Sequence, residues 1–112
     1  MSEPFEIQTL PNGQKVVRFK TKFTDHRRRD HEERLKKEVR SATHVAFDLT
    51  ETLDMASDWL RLLADLSEEA KHATRVVGTV GMSSNVKTSA DFLKLQPLFR
   101  IFDSIEKVWE AT

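Results

Sequence analysis

THVAFDLTETLDMASDWLRLLADL, residues 43–66, is the stretch whose reading decides the fold. Val45, Ala46, Phe47 and Leu49 form an apolar run too short for a helix, which predicts a strand buried on both faces and hence a parallel sheet. Beyond a short acidic turn, Ala56, Trp59, Leu60, Leu63 and Leu66 recur at i, i+3, i+4, i+7 and i+10, one face of an α-helix. The turn between strand and helix carries Asp54, Ser57 and Asp58. Trp59, at helical spacing with Leu63, reads as core. Met55 and Met82 are expected near the exposed ends of strands, where soft side chains suit an interface.

Upstream of this junction, Asn12-Gly13 separates two weakly alternating runs and predicts a hairpin with strands over 4–10 and 14–22, because both turn residues tolerate positive φ. The charged segment DHRRRDHEERLKKEVRS, residues 25–41, predicts a shallowly docked, heavily solvated helix. Its cap is Asp25 or Thr24, and Leu35 and Val39 lie four apart on its inner face. Downstream, the central helix fades near Ala73 and Arg75 to Val80 forms a second buried strand. Ser84 or Asn85 is expected to cap a helix from Val86 to about Leu95, which Pro97 ends. Leu98, Phe99, Ile101 and Phe102 predict a last short strand. Asp103 with Glu106 predicts a capping box for a terminal helix carrying Ile105, Val108 and Trp109. Three alternations of strand and helix imply right-handed crossovers. The expected fold is α/β, a mixed sheet of about five strands, mostly parallel with an N-terminal antiparallel hairpin, packed against about four helices in a single domain over 1–112.

The composition removes several functions. The 112 residues carry 18 basic and 18 acidic side chains, so no global field draws the chain to nucleic acid or an anionic membrane. Residues 20–40 hold nine of the basic and five of the acidic groups, a local excess of +4 that the remainder offsets. Asp30, Glu32, Glu33 and Glu38 interrupt that patch, where a nucleic-acid surface would gain from aromatic stacking partners and an unbroken excess of positive charge, so it reads as a solvated helix surface. With no cysteine, disulfides, thiol catalysis and Cys-based zinc sites are excluded. MSEPFEIQTL has neither the basic region nor the apolar core of a signal peptide, and no run approaches the ~20 apolar residues that span a bilayer. A cytoplasmic location without membrane insertion is expected.

Catalytic chemistry finds little support. His26, His31, His44 and His72 do not fall at metal-ligand spacing, and His31-Glu32 lacks the second histidine of a zinc-protease helix. The glycines stand singly at Gly13, Gly78 and Gly81, so no phosphate-cradling loop is formed. Asp54 and Asp58 are paired carboxylates, but at a helix start such groups ordinarily cap amides and complement the dipole. No nucleophile and base can be assembled. The expectation is a protein without enzymatic activity, metal or cofactor.

The order of elements, with HVAFDLTETLDMASDWLRLL, RVVGTVGMSSNV and FLKLQPLFRIFDSIEKVWEA, resembles the STAS domain of bacterial anti-sigma-factor antagonists over essentially the whole chain. In that family a central strand leads to an Asp-Ser-Ser-Gly-Leu-like turn that opens a helix. A serine or threonine there is phosphorylated by a kinase that is also the binding partner; phosphorylation releases the partner and a phosphatase restores binding. Setting Leu60 on the motif's leucine puts Ala56 on its aspartate, Ser57 on its first hydroxyl residue, Asp58 on the usual acceptor and Trp59 on its glycine. If the turn instead contains an insertion, Asp54 stands for the aspartate and Ser57 is the local acceptor. KTKFT, residues 20–24, is a second departure, with Thr21 where such domains often have glycine.

The resemblance implies a partner-switching module in signal transduction. It would bind an anti-sigma or serine-kinase-like protein through the turn at 54–59 and neighbouring loops, with Asp25, Asp54, Met55, Trp59, Met82, Ser83 and Ser84 at the contact. Ser57 is the candidate phosphoacceptor and Asp58 a fixed mimic of the phosphorylated state. The alternative is a structural subunit of a transport or signalling complex with no phosphorylation cycle.

Overall fold

The computed structural model describes residues 4–20 and 28–112 together with the backbone of 22–23. In chain order the elements are β1 (Phe5–Thr9), β2 (Gln14–Phe19), β3 (Lys22–Phe23), α1 (Glu32–Arg40), β4 (His44–Asp48), β5 (Asp54–Met55), α2 (Ser57–Lys71), β6 (Val76–Val80), α3 (Ser84–Phe92) and α4 (Ile105–Glu110). The main sheet has the order β1-β2-β4-β6, and β3 pairs only with β5. β1 and β2 are the expected antiparallel hairpin, closed by a 3-10 turn in which Asn12 (φ 72°) and Gly13 (φ 76°) are left-handed. β2, β4 and β6 run parallel, in a register that sets Arg18 opposite Asp48 and Asp48 opposite Val80.

The two faces of this sheet are covered unequally. Val17, Phe19, Val45, Phe47 and Val77 face Leu35 and Val39 of α1, Trp59, Leu60, Leu63 and Leu66 of α2, and Val86 and Ala90 of α3. Phe5, Phe19, Phe47 and Trp59 make a run of tilted and edge-to-face contacts, with centroids 5.8 Å apart for Phe5 to Phe19 and for Phe19 to Phe47, and 6.2 Å for Phe5 to Trp59. Burial of each such ring contributes about 1.5–3 kcal/mol, more than any surface contact can. On the other face Ala46, Val76 and Val80 meet Val108, Phe102, Ile105 and Trp109 of the C-terminal segment. Gly78 permits that approach, because a Cβ there would lie 2.5 Å from the Phe102 ring.

Several expected boundaries move. The basic segment is a 3-10 turn at Arg28–Asp30 followed by α1 from Glu32, where two glutamates favour a helix start. Docking of α1 is tight, with Leu35 and Val39 fully buried. Thr24 and Asp25, the expected caps, lie outside the described residues, as do Thr21 and His26. α3 starts earlier than expected, with Ser83 rather than Ser84 or Asn85 as its cap. It also stops at Phe92, before Pro97, because Lys94 turns left-handed (φ 61°) and the Leu95 amide bonds back to the Ala90 carbonyl at 2.8 Å. The expected last strand is only an isolated bridge, Thr79 to Ile101. Held between a 3-10 turn at Gln96–Leu98 and the start of α4, that segment has length for two bonds to Thr79, from the Phe102 amide and to the Arg100 carbonyl. α4 is capped by Ser104, whose hydroxyl accepts from the Lys107 amide at 3.4 Å, in place of the Asp103 and Glu106 box.

Candidate functional site

The C-terminal ends of β4 and β6 deliver two loops to one edge of the molecule, and their residues fix one another. Asp48, last in β4, accepts the Thr50 amide at 3.0 Å and the Thr50 hydroxyl on Oδ1, forming an Asx turn that reverses the chain. Its Oδ2 accepts from Arg18 Nε at 3.2 Å, and Arg18 also reaches Gln8 Oε1 at 3.2 Å. Gly81, at φ 76°, sits against this turn so closely that a Cβ would fall 2.8 Å from the Thr50 backbone. Thr52, 1% exposed, donates its hydroxyl to the Phe19 carbonyl at 3.1 Å and its amide to the Leu49 carbonyl at 2.9 Å. Ser83 joins the two loops. Its hydroxyl donates to the Leu53 carbonyl at 3.0 Å and accepts the Val86 amide at 3.2 Å.

From this clamped loop the chain passes through β5 into α2. The residue at the helix start is Ala56, in extended conformation and without a side chain that can cap. Ser57, the first helical residue, is exposed, and among the described residues its hydroxyl has no hydrogen-bond partner. Asp58 is exposed, with Oδ1 accepting the Trp59 amide at 2.9 Å, and Asp54 Oδ1 likewise accepts the Met55 amide at 2.9 Å. The first turn of α2 therefore sets an exposed hydroxyl and an exposed carboxylate at the positive end of the helix dipole.

The structure brings together Asp54, Ser57, Asp58, Ser83 and Ser84 on this edge, with only Ser83 partly covered. Three other residues expected at the contact are buried. Trp59 has no exposed surface and Met55 only 3%, since the helical spacing of Trp59 and the pairing of β5 with β3 turn both side chains inward. Met82 is also buried, in the core beneath the β6 to α3 loop, so the expectation of exposed strand-end methionines is corrected for both residues. Asp25 lies outside the described residues. Sequence reading missed Asp48, Thr50 and Thr52 as the scaffold of the turn, although an aspartate two residues before a threonine is a recognisable Asx-turn pattern. It also missed Leu53, whose side chain is 60% exposed.

The histidines are dispersed. His31 lies beside Trp59 and Phe5, His44 Nε2 is 2.9 Å from the Ala111 carbonyl, and His72 Nε2 is 3.1 Å from Glu68 Oε1. Among the described residues no three His, Asp or Glu side chains could hold a metal ion, and no helix is long and apolar enough to cross a membrane.

No protein-family model matches the chain, and no curated protein matches it in sequence. Solved structures do. The anti-sigma factor antagonist SpoIIAA in its unphosphorylated form is similar over 96% of this chain and 98% of its own, with a TM-score of 0.76 and 15% identity. The phosphorylated form of the Bacillus cell-fate determinant SpoIIAA matches with a TM-score of 0.71 at 13% identity, covering 96% of this chain and 99% of that one. An anti-sigma factor antagonist from Mycobacterium paratuberculosis matches with a TM-score of 0.69 at 16% identity, covering 99% and 97%. The chain thus has the fold of the STAS-domain anti-sigma factor antagonists over 96–99% of its length.

Proposed function

We propose that this protein is a non-enzymatic regulatory interaction domain of the anti-sigma-factor-antagonist type, binding an anti-sigma or serine-kinase-like protein through the turn at residues 54–59. The observation that carries this reading is the start of α2: an exposed Ser57 and an exposed Asp58 at a helix N-terminus where Ala56 offers no capping side chain. The fold is one adopted by SpoIIAA in both its phosphorylated and its unphosphorylated form, which supports a switch that acts without refolding. Ser57 is the phosphoacceptor in this reading. Asp58 supplies about −1 of charge where phosphoserine brings about −1.5 to −2. A kinase must carry nucleotide phosphates up to the acceptor hydroxyl, so a neighbouring carboxylate is repelled and weakens docking without moving the backbone.

Intact mass and peptide mapping of protein from its host, with and without phosphatase, test the cycle. One added phosphate on Ser57, about +80 Da, is the expected result. Asp58→Ser is expected to strengthen binding of the partner by about tenfold, roughly 1.4 kcal/mol. Unmodified Ser57 under all growth conditions, with binding indifferent to Ser57→Ala, would instead support a structural subunit of a larger complex.

A further inference from the structure

Leu53 is a large, exposed apolar side chain on this edge that neither folding nor a phosphorylation cycle requires. Its side chain is 60% exposed, yet the backbone around it is held on both sides. Thr52, immediately before it, is 1% exposed and anchored to the Phe19 and Leu49 carbonyls, while the Leu53 carbonyl itself accepts the Ser83 hydroxyl at 3.0 Å. A large apolar side chain left in water on a loop clamped at 52 and 53 has little backbone freedom left to lose on binding, which is the condition for an interface anchor. Its chain neighbours add a sign of charge. Glu51 and Asp54 are exposed and, among the described residues, join no ion pair; Lys20, which borders the same groove as Glu51, joins none either.

We infer that Leu53 is the apolar anchor of the partner interface, entering a pocket of a partner protein whose rim carries lysine or arginine opposite Glu51 and Asp54. This rests on the reading of the 54–59 turn as a docking site and extends it to the loop before β5. The two parts of the surface carry different chemistry. Around Ser57 the partner presents the negative charge of a nucleotide, whereas around Leu53 it presents an apolar hollow with a positive rim. Phe92, 85% exposed on the last turn of α3, makes a control because it is equally apolar and lies far along the helix from Ser83.

The probe is the host protein that co-purifies with the tagged wild-type chain, itself purified, and the measurement is its Kd by calorimetry at two salt concentrations. Leu53→Ala is expected to weaken binding at least about tenfold, with Phe92→Ala within twofold of wild type and an unchanged circular dichroism spectrum. Glu51→Gln with Asp54→Asn is expected to weaken binding about threefold at low salt and to reduce its salt dependence. If Leu53→Ala stays within twofold while Asp58→Ser changes affinity, the anchor is wrong and the turn remains the docking site. Equal losses for Leu53→Ala and Phe92→Ala, or an unaltered salt dependence in the double variant, also overturn the proposal. If no co-purifying protein binds the pure chain directly, both the anchor and the docking site fall.

Discussion

α2 and α3 start side by side at the same edge of the sheet, and they start differently. At α3 the Ser83 hydroxyl accepts the Val86 amide and ties the helix to the neighbouring loop through the Leu53 carbonyl. At α2 the equivalent place is Ala56, whose φ of −63° and ψ of 149° are those of a capping residue but whose methyl group caps nothing. Intrinsic stability favours serine, threonine, aspartate or asparagine at such a position by about 1 kcal/mol over alanine. The better-capped helix is the one whose first turn supports a loop; the other carries Ser57 and Asp58 with no cap from Ala56. The capping side chain is thus found at the start that also supports a loop, and is missing at the start that carries Ser57 and Asp58.

The strongest way to break this contrast is to remove the surface on which both starts rest. Gly81→Ala combines left-handed backbone at φ 76° with overlap against the Thr50 backbone, and is expected to cost about 2–4 kcal/mol in urea unfolding. A loss under about 1 kcal/mol would mean that the two loops are not coupled. Ser83→Ala should cost less, about 1–2 kcal/mol, measured in the same way, because one cap and one interloop hydrogen bond are lost. Ala56→Asp is expected to do the reverse at α2 and raise stability by about 0.5–1 kcal/mol; a neutral or destabilising result would show that the α2 start is constrained by something other than capping.

The smallest expected effect lies at the opposite end of the molecule. There Arg40 grips both oxygens of Glu69 at 2.8 and 2.9 Å and Arg75 adds a third bond at 3.1 Å, joining α1 to α2. The hydrogen bonds and charge of Arg40, reinforced by Arg75, hold the Glu69 carboxyl below its ordinary value of 4.5. A carboxylate whose folded pKa is depressed contributes stability above the unfolded pKa, and that contribution is lost as pH falls through the folded one. Glu38, bonded to Lys15 Nζ at 2.7 Å, and Glu32, held by Lys36 and Arg28, are shifted in the same direction. Glu69→Gln should therefore flatten the acid limb of a stability-against-pH curve below about pH 4.5, by well under 1 kcal/mol because the pair is partly solvated. An unchanged acid limb would show the bridge to be without thermodynamic weight.

Most of this architecture was legible before the structure, and the exceptions have common causes. The short apolar run of Val45 to Leu49 located β4, because a strand buried on both faces needs apolar side chains on each, and the helical period of Ala56 to Leu66 located α2. Asn12-Gly13 located the hairpin by its backbone requirement. The last strand failed because Leu98 to Phe102 is as apolar as a strand but sits between two turns that leave it only a bridge to Thr79. Caps slipped by one residue at Ser83 and Ser104, since neighbouring serines and aspartates have nearly equal claims on a helix start and local sequence cannot choose among them.

For the site, the sequence by itself determined that Ser57 and Asp58 lie where a strand hands over to a helix, because a short apolar run followed by a helical period is enough to place that junction. Only the tertiary structure decided which of their neighbours face solvent. Trp59, Met55 and Met82 turn inward because the sheet needs their apolar volume, and Leu53 turns outward because Thr52 takes the buried place beside Phe19. Whether a side chain on a short irregular loop is in or out depends on hydrogen bonds to residues thirty positions away, and no local pattern carries that information.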